Sequence, residues 1–465
     1  MTPRTTINVE VKMINSNLHL SNSRLAAFVS PEAPLAAFLM VVVVFIPPFY
    51  AGTMGLGLSV VGLIFGLTKL WDVVTDPAFG LLSDRWQTRW GRRRPWLVAS
   101  VPLMILCTYY VFVPDLPVSG AYFALWMIVL YIGWTMASVS HISWAAELSS
   151  DYHERSRISA FKQGAGLVGG IGLMVTVAIA DHSAGFTESD RLALIAKALI
   201  VFLPLTVVLA LWAAPEPAIQ RSVKSPVSGK PFQVIFSNAP LRRLLVANLL
   251  LGIATGSIAG MFLFFVSDVL LLGAWSSFAL LPWYCSALIF LPVFMKLSHK
   301  IGKHRTLCVA LLYYLIASLS FLLLPQNNVV IASIALLFLG ANQAVGTYIP
   351  AAIMADVTDY DAVKSGKQRT GLYMSLLQTS SKVAAALSVG LSYPMLSMIG
   401  FDASPEANNP VEVLDAMRWL IVLLPGFLYL VIVRIMWNFP LDEARQVILR
   451  QQLTTFHKGS EEPSY

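Results

Sequence analysis

Asp72 and Asp76 stand four residues apart in the stretch GLSVVGLIFGLTKLWDVVTDPAFGLLSDR, with Lys69 one turn earlier and Thr75 immediately before Asp76. On a helix that spacing puts both carboxylates on one face. Two carboxylates and a hydroxyl are hard oxygen ligands suited to a monovalent cation such as Na+, or a pair able to carry a proton. The flanking residues are apolar, so the helix reads as lying in lipid. Counted from Leu58, Asp72 is roughly 21 Å along its axis. Ionised carboxylates at that depth cost on the order of several kcal/mol unless paired, hydrated or bound to a cation. The plainer alternative is that Lys69 neutralises Asp72 while Asp76 faces water. One lysine pairs two acids poorly, so Asp72, Asp76 and Thr75 are the expected cation ligands.

Lys382, in LLQTSSKVAAALS, is the second oddity. It lies deep in an apolar span with no acid on its own helix, too far in for its stem to carry the ammonium out to the interface easily. Asp72 or Asp76 on another helix is its natural partner. A cation binding there competes with the ammonium, so Lys382 and Lys69 are expected coupling residues. Lys162 and Gln163 lie near a span end, where snorkelling is as reasonable as a cavity role. His141 is a lone mid-span histidine, read first as a hydrogen-bonded packing residue and second as a ligand or proton relay. With Ser138, Tyr373 and Gln378, these are the candidate substrate contacts.

The elements that must position these residues are transmembrane helices. The chain has 465 residues, of which 57% are hydrophobic and 12% charged, too little charge to cover a soluble domain of this size. Apolar runs long enough to cross a bilayer occur near 33–51, 58–83, 95–114, 120–146, 159–180 and 191–213, and again near 243–271, 275–297, 305–324, 329–353, 370–399 and 413–438. The expected fold is all-α, with twelve transmembrane helices in two six-helix bundles. The expected divisions are a polar tail over 1–32, a first bundle over 33–213, a linker over 214–242, a second bundle over 243–438 and a tail over 439–465. Residues 1–30 do not read as a cleavable signal. Lys and Arg crowd alternate loops, which places both termini and the linker on the cytoplasmic side. The formal net charge of +7 sits in short clusters between spans, which argues against nucleic acid. Three scattered cysteines (Cys107, Cys285 and Cys308) give neither a disulfide framework nor a metal spacing.

The basic turn after the second span, GLLSDRWQTRWGRRRP, has an echo after the eighth, FMKLSHKIGKHRT. Such a repeat suits two bundles that rock about a site near the midplane. Gly80 permits close helix approach and Asp84 can pair with the arginines of the turn. Gly80, Asp84, Arg85, Arg92 and Arg93, with Asp356 and Asp359 in ADVTDYDAVKSGKQRTG, are therefore read as a cytoplasmic gate. Positive-inside anchoring is the simpler alternative.

WDVVTDPAFGLLSDRWQTRWGRRRPW, AELSSDYHERSRISAFK and ADVTDYDAVKSGKQRTGLYMSLLQTSSK resemble the signatures of the glycoside–pentoside–hexuronide:cation symporters, the melibiose-permease-like branch of the major facilitator superfamily. The resemblance spans both halves. It implies symport of Na+, H+ or Li+ by alternating access, with Asp72 and Asp76 as the cation site and Lys382 as the eleventh-helix lysine. The sugar half of the pattern departs. The first span has no acid beyond Glu32 at its start, the fourth offers Ser138, Ser140 and His141, and Lys162 or Gln163 stands where an arginine is expected. The expectation is thus a cation-coupled (Na+ or H+) symporter of a sugar or glycoside in a bacterial-type inner membrane. One alternative is the same machine carrying an amphiphile or anion such as a lysophospholipid. Another is a non-transporting assembly or sensor protein on this fold, which would keep its function after Asp72→Asn. No nucleophile–base pair, metal motif or phosphate loop suggests an enzyme. The expected partners are a small-molecule substrate and membrane lipid, with no nucleic acid, no cofactor and no metal beyond the transported cation. The chain is expected to act as a monomer.

Overall fold

The computed structural model describes residues 20–86, 88–115, 117–149, 152–181, 187–215, 238–276, 278–365, 369–404, 407–441 and 445. Residues 216–237 of the expected linker lie outside that set, as do the side chains of Asp84 and Arg85. Among the described residues the regular structure is helical, apart from one isolated bridge between Thr88 and Gly91 in the basic turn.

The first half begins with a broken span. Helices α1 (Asn22–Val29), α2 (Glu32–Val44) and α3 (Ile46–Ala51) run on from one another. The breaks fall at Ser30–Pro31 and at Phe45 before Pro47 and Pro48, where proline removes backbone donors. Helical structure therefore starts at Asn22, inside the segment that the sequence reads as a tail. Then follow α4 (Leu58–Arg85), α5 (Arg94–Phe112), α6 (Gly120–Glu147), α7 (Tyr152–Ala180) and α8 (Glu188–Ala213). Two of the helix starts are capped by side chains. Ser119 accepts from the Tyr122 amide, and Thr187 and Asp190 form a capping box.

The second half holds α9 (Ala239–Phe264), extended by a π-turn over Phe265–Val269, then α10 (Leu280–Ile301), α11 (Lys303–Ser318), α12 (Val329–Leu339), α13 (Ala341–Ser365), α14 (Thr370–Met398) and α15 (Val411–Met436). Asn238 and Asn328 cap α9 and α12 through their side-chain oxygens.

Among the described residues, eleven helical segments are long and apolar enough to cross a membrane. The segment expected to span at 370–399 is not among them, although α14 is a continuous helix of 29 residues. The reason is its polar content. Ser380, Ser381, Lys382, Ser388 and Ser392 interrupt the apolar run, and neighbouring helices satisfy several of them. Asn248 on α9 donates to the hydroxyls of Ser380 and Ser381, and Ser257 donates to the Ser388 carbonyl.

That placement governs the site. The most extensive helix contact in the molecule joins α14 of the second half to α4 of the first, and α9 packs on α14 almost as extensively. Gly252 and Gly256 let α9 come so near that a Cβ would stand 2.5 Å from Ala384 Cβ and 2.3 Å from Ser388 Oγ. This fixes the rotation of α14.

Candidate cation and substrate site

Lys382 projects from α14 onto the acidic face of α4. Its ammonium lies 3.3 Å from Asp72 Oδ2 and is in direct contact with Asp76 Oδ2. Of the ion pairs between described residues, only those of Lys382 join the two halves. Thr135 on α6 closes the group, its hydroxyl 3.1 Å from Asp72 Oδ1 and 2.7 Å from Asp76 Oδ1. The two acids therefore share a lysine on one side and a hydroxyl on the other, as one turn of α4 between them allows.

Thr75 does not take the place expected of it. Its hydroxyl bonds to the Asp72 backbone carbonyl at 3.4 Å, the usual back-bond of a helical threonine, and Thr135 supplies the hydroxyl at the carboxylates. Lys69 is also placed differently from a simple counter-ion. It is buried, with its ammonium 4.5 Å from the Tyr131 ring centroid and 6.0 Å from that of Phe65, and it has no ion-pair partner within 4 Å among the described residues. Cation–π contact is worth more in such a desolvated setting than at a surface.

Exposure decides which atoms a ligand can reach. The Asp72 side chain is 6% exposed, whereas those of Asp76 and Lys382 are 25% and 29% exposed. The approach lies towards the basic end of the bundle. At the other end of α4, a Cβ on Gly66 would stand 3.2 Å from the Ala386 carbonyl, whereas one on Gly80 meets open space. The close helix approach expected at Gly80 is thus found at Gly62 and Gly66 instead.

The candidate substrate contacts separate into three groups. Gln163 and Gln378 are exposed, and Ser138 is partly so. Lys162 is held 3.2 Å from Glu32, whose carboxylate also lies 3.5 Å from the buried His141. Tyr373 is buried, and its hydroxyl accepts from Asn238 at the start of α9, so it belongs to a helix-end network away from the carboxylates.

The gate residues form ion pairs inside each half. Arg92 and Arg93 both reach Glu147, at 2.6 and 2.8 Å, and Arg93 also donates to Ser83 at 2.9 Å. Asp356 pairs with Lys303 at 2.6 Å, while Asp359 is partly exposed with no ion pair among the described residues. These pairs between described residues tie neighbouring helices of one bundle.

Thr135, Tyr131 and the Glu32–Lys162 pair escape a sequence reading. Thr135 and Tyr131 are ordinary residues in an apolar span, and the sequence singles out Glu32 and Lys162 separately without joining them, so only a facing helix gives these contacts. The one available signal is that Thr135 and Ser138 are spaced to share a face of the span carrying His141.

The family model described as MFS/sugar transport protein matches residues 27–443. The glucuronide carrier protein homolog of Escherichia coli (strain K12) is 24% identical over 416 residues, covering 86% of this chain and 88% of that protein. Human sodium-dependent lysophosphatidylcholine symporter 1 is 23% identical over 423 residues, covering 83% and 77%. Among solved structures, a D-xylose-proton symporter superposes with a TM-score of 0.63 at 16% identity, over 90% of this chain and 97% of that one.

Proposed function

The chain belongs to the MFS/sugar transport protein family, and from that premise we propose that it is a cation-coupled symporter of a sugar or glycoside that works by alternating access. It is a multi-pass integral membrane transporter, not an enzyme. The coupling reading is carried by one observation: Lys382 of the second half pairs with both Asp72 and Asp76 of the first. Its ammonium occupies the position that a transported cation would take between the same oxygens. When Na+ or H+ binds Asp76, the attraction that holds Lys382 falls, and the electrostatic tie between the halves loosens with it. Thr135 remains as a neutral oxygen ligand. Release of the cation restores the tie. The halves are thereby coupled to cation occupancy without a separate latch.

The topology fits this reading as twelve crossings, α14 included, with termini and linker in the cytoplasm of a bacterial-type inner membrane. The open approach to Asp76 from the basic end then makes the described state inward-facing. Acting as a monomer suffices, because one chain supplies both halves of the site.

A second substrate class is favoured by the first span. Over α2 and α3 its side chains are apolar beyond Glu32, and Glu32 is engaged by Lys162. That leaves few free carboxylates for sugar hydroxyls and suits an amphiphile, the substrate class in the name of the human relative. Uptake by proteoliposomes across a panel of sugars, glycosides and lysolipids, under imposed Na+ or H+ gradients, separates the two. Gradient-dependent uptake of one class supports the symport reading, and uptake of none under either gradient overturns it.

A further inference from the structure

We propose that His141, Glu32 and Lys162 form a proton-binding site separate from the Asp72–Asp76–Lys382 cluster, with the His141 ring as the group that takes the proton. His141 lies on α6 and is fully buried. Its Nε2 is 3.1 Å from the Phe28 carbonyl, which has no proton to give, so Nε2 carries the hydrogen and donates it. The other nitrogen, Nδ1, has no hydrogen-bond partner, and Glu32 Oε2 lies 3.5 Å from it. A neutral ring in this tautomer aims a lone pair at a carboxylate oxygen. Both of its neighbours are acceptors, so this setting is satisfied only by an imidazolium that donates from both nitrogens. Proton binding at Nδ1 forms one N–H bond and raises the ring charge by one, with no other bond changed.

The surroundings control that step. Among the described residues the charged groups facing the ring are Glu32 from α2 and Lys162 from α7, which meets the same Glu32 oxygen at 3.2 Å. Phe28 of α1 packs on the ring with centroids 5.2 Å apart. Phe28 in turn meets Trp144, and Arg94 lies beyond that indole, 5.3 Å from it. With Lys162 cationic and Glu32 anionic, the group is neutral before protonation. Glu32, 28% exposed, gives water a route to a ring that has none of its own. After protonation, ring and ammonium compete for one carboxylate oxygen, and the hold on Lys162 weakens. On the symporter reading above, this adds a proton to the cycle from a place that the coupling cation does not occupy. The proton-binding claim itself needs only the geometry.

The test is nitrogen NMR of the histidine rings in the full chain, reconstituted in nanodiscs without substrate and titrated with acid. His141→Gln assigns the signal, and its displacement in Glu32→Gln and Lys162→Met assigns it again should the first variant not fold. The expected result is protonation of Nδ1 as acid is added. The midpoint should fall by about one pH unit, a tenfold loss of proton affinity, in Glu32→Gln and rise by a similar step in Lys162→Met. Asp76→Asn should leave it in place. A ring that stays neutral throughout the titration, or a midpoint unmoved by both neighbouring variants, overturns the site. Failure of the transport reading would appear in the liposome assay and leave this titration standing.

Discussion

Gly62 of α4 lies so near Tyr393 of α14 that a Cβ on the glycine would stand 2.9 Å from the tyrosine's own Cβ. The Val389 carbonyl is 3.2 Å from the same point, and Gly66 repeats the approach one turn on. Small residues spaced by four let two helices touch at the backbone, and here they close one end of the junction between the halves. Gly62→Ala should force that end apart at a cost of about 1–3 kcal/mol, as overpacking does. Distances between spin labels on the two halves should then lengthen at the Gly62 end. An unchanged distance distribution would show that this contact does not hold the end closed.

Replacing the acids is the direct trial of the cation site. Asp72→Asn and Asp76→Asn should each lower cation-stimulated uptake by more than about tenfold, equivalent to about 1.4 kcal/mol, while purified protein yield and helicity stay normal. Cation dependence that survives either change would remove the assignment.

Lys382→Ala leaves two carboxylates without their ammonium. Breaking a buried pair costs roughly 3–5 kcal/mol, and less here because Lys382 and Asp76 are partly exposed. The expected phenotype is uncoupling, in which substrate moves down its own gradient but no longer follows the cation. Flux ratios measured with both species labelled should depart from the wild-type ratio, and a retained ratio would contradict the role.

Thr135→Val separates the hydroxyl that faces the acids from the one beside them in sequence. Loss of a ligand that bonds to both carboxylates should raise the half-saturating cation concentration about fivefold or more, in line with about 1 kcal/mol per hydrogen bond. Thr75→Val should have little effect, since its hydroxyl is spent on the backbone. Equal effects of the two variants would reverse the assignment.

Arg93→Ala should lower stability, not substrate affinity. The side chain is 6% exposed and binds Glu147 and Ser83, so its removal empties a buried position between helices while Glu147 keeps its pair with Arg92. A thermal midpoint that falls while the Michaelis constant holds is the expected outcome. A large rise in that constant would place the substrate nearer the basic turn.

An all-helical membrane chain, most of its spans, and two acids on one stripe of α4 were already legible in the sequence. Each follows from properties local to the chain: run length, charge alternation and a four-residue spacing. Composition even flagged Lys382, because an ammonium in an apolar span needs a partner that its own helix lacks. The tertiary structure decided which surfaces meet. It chose Thr135 over Thr75 because α6 faces the carboxylates, moved the close approach from Gly80 to Gly62 because α14 crosses α4 there, and kept the arginine pairs inside one bundle. It also turned His141 from a lone residue into one member of a charged trio. Helix rotation and crossing angle set those contacts, and neither is written in the spacing of a single helix.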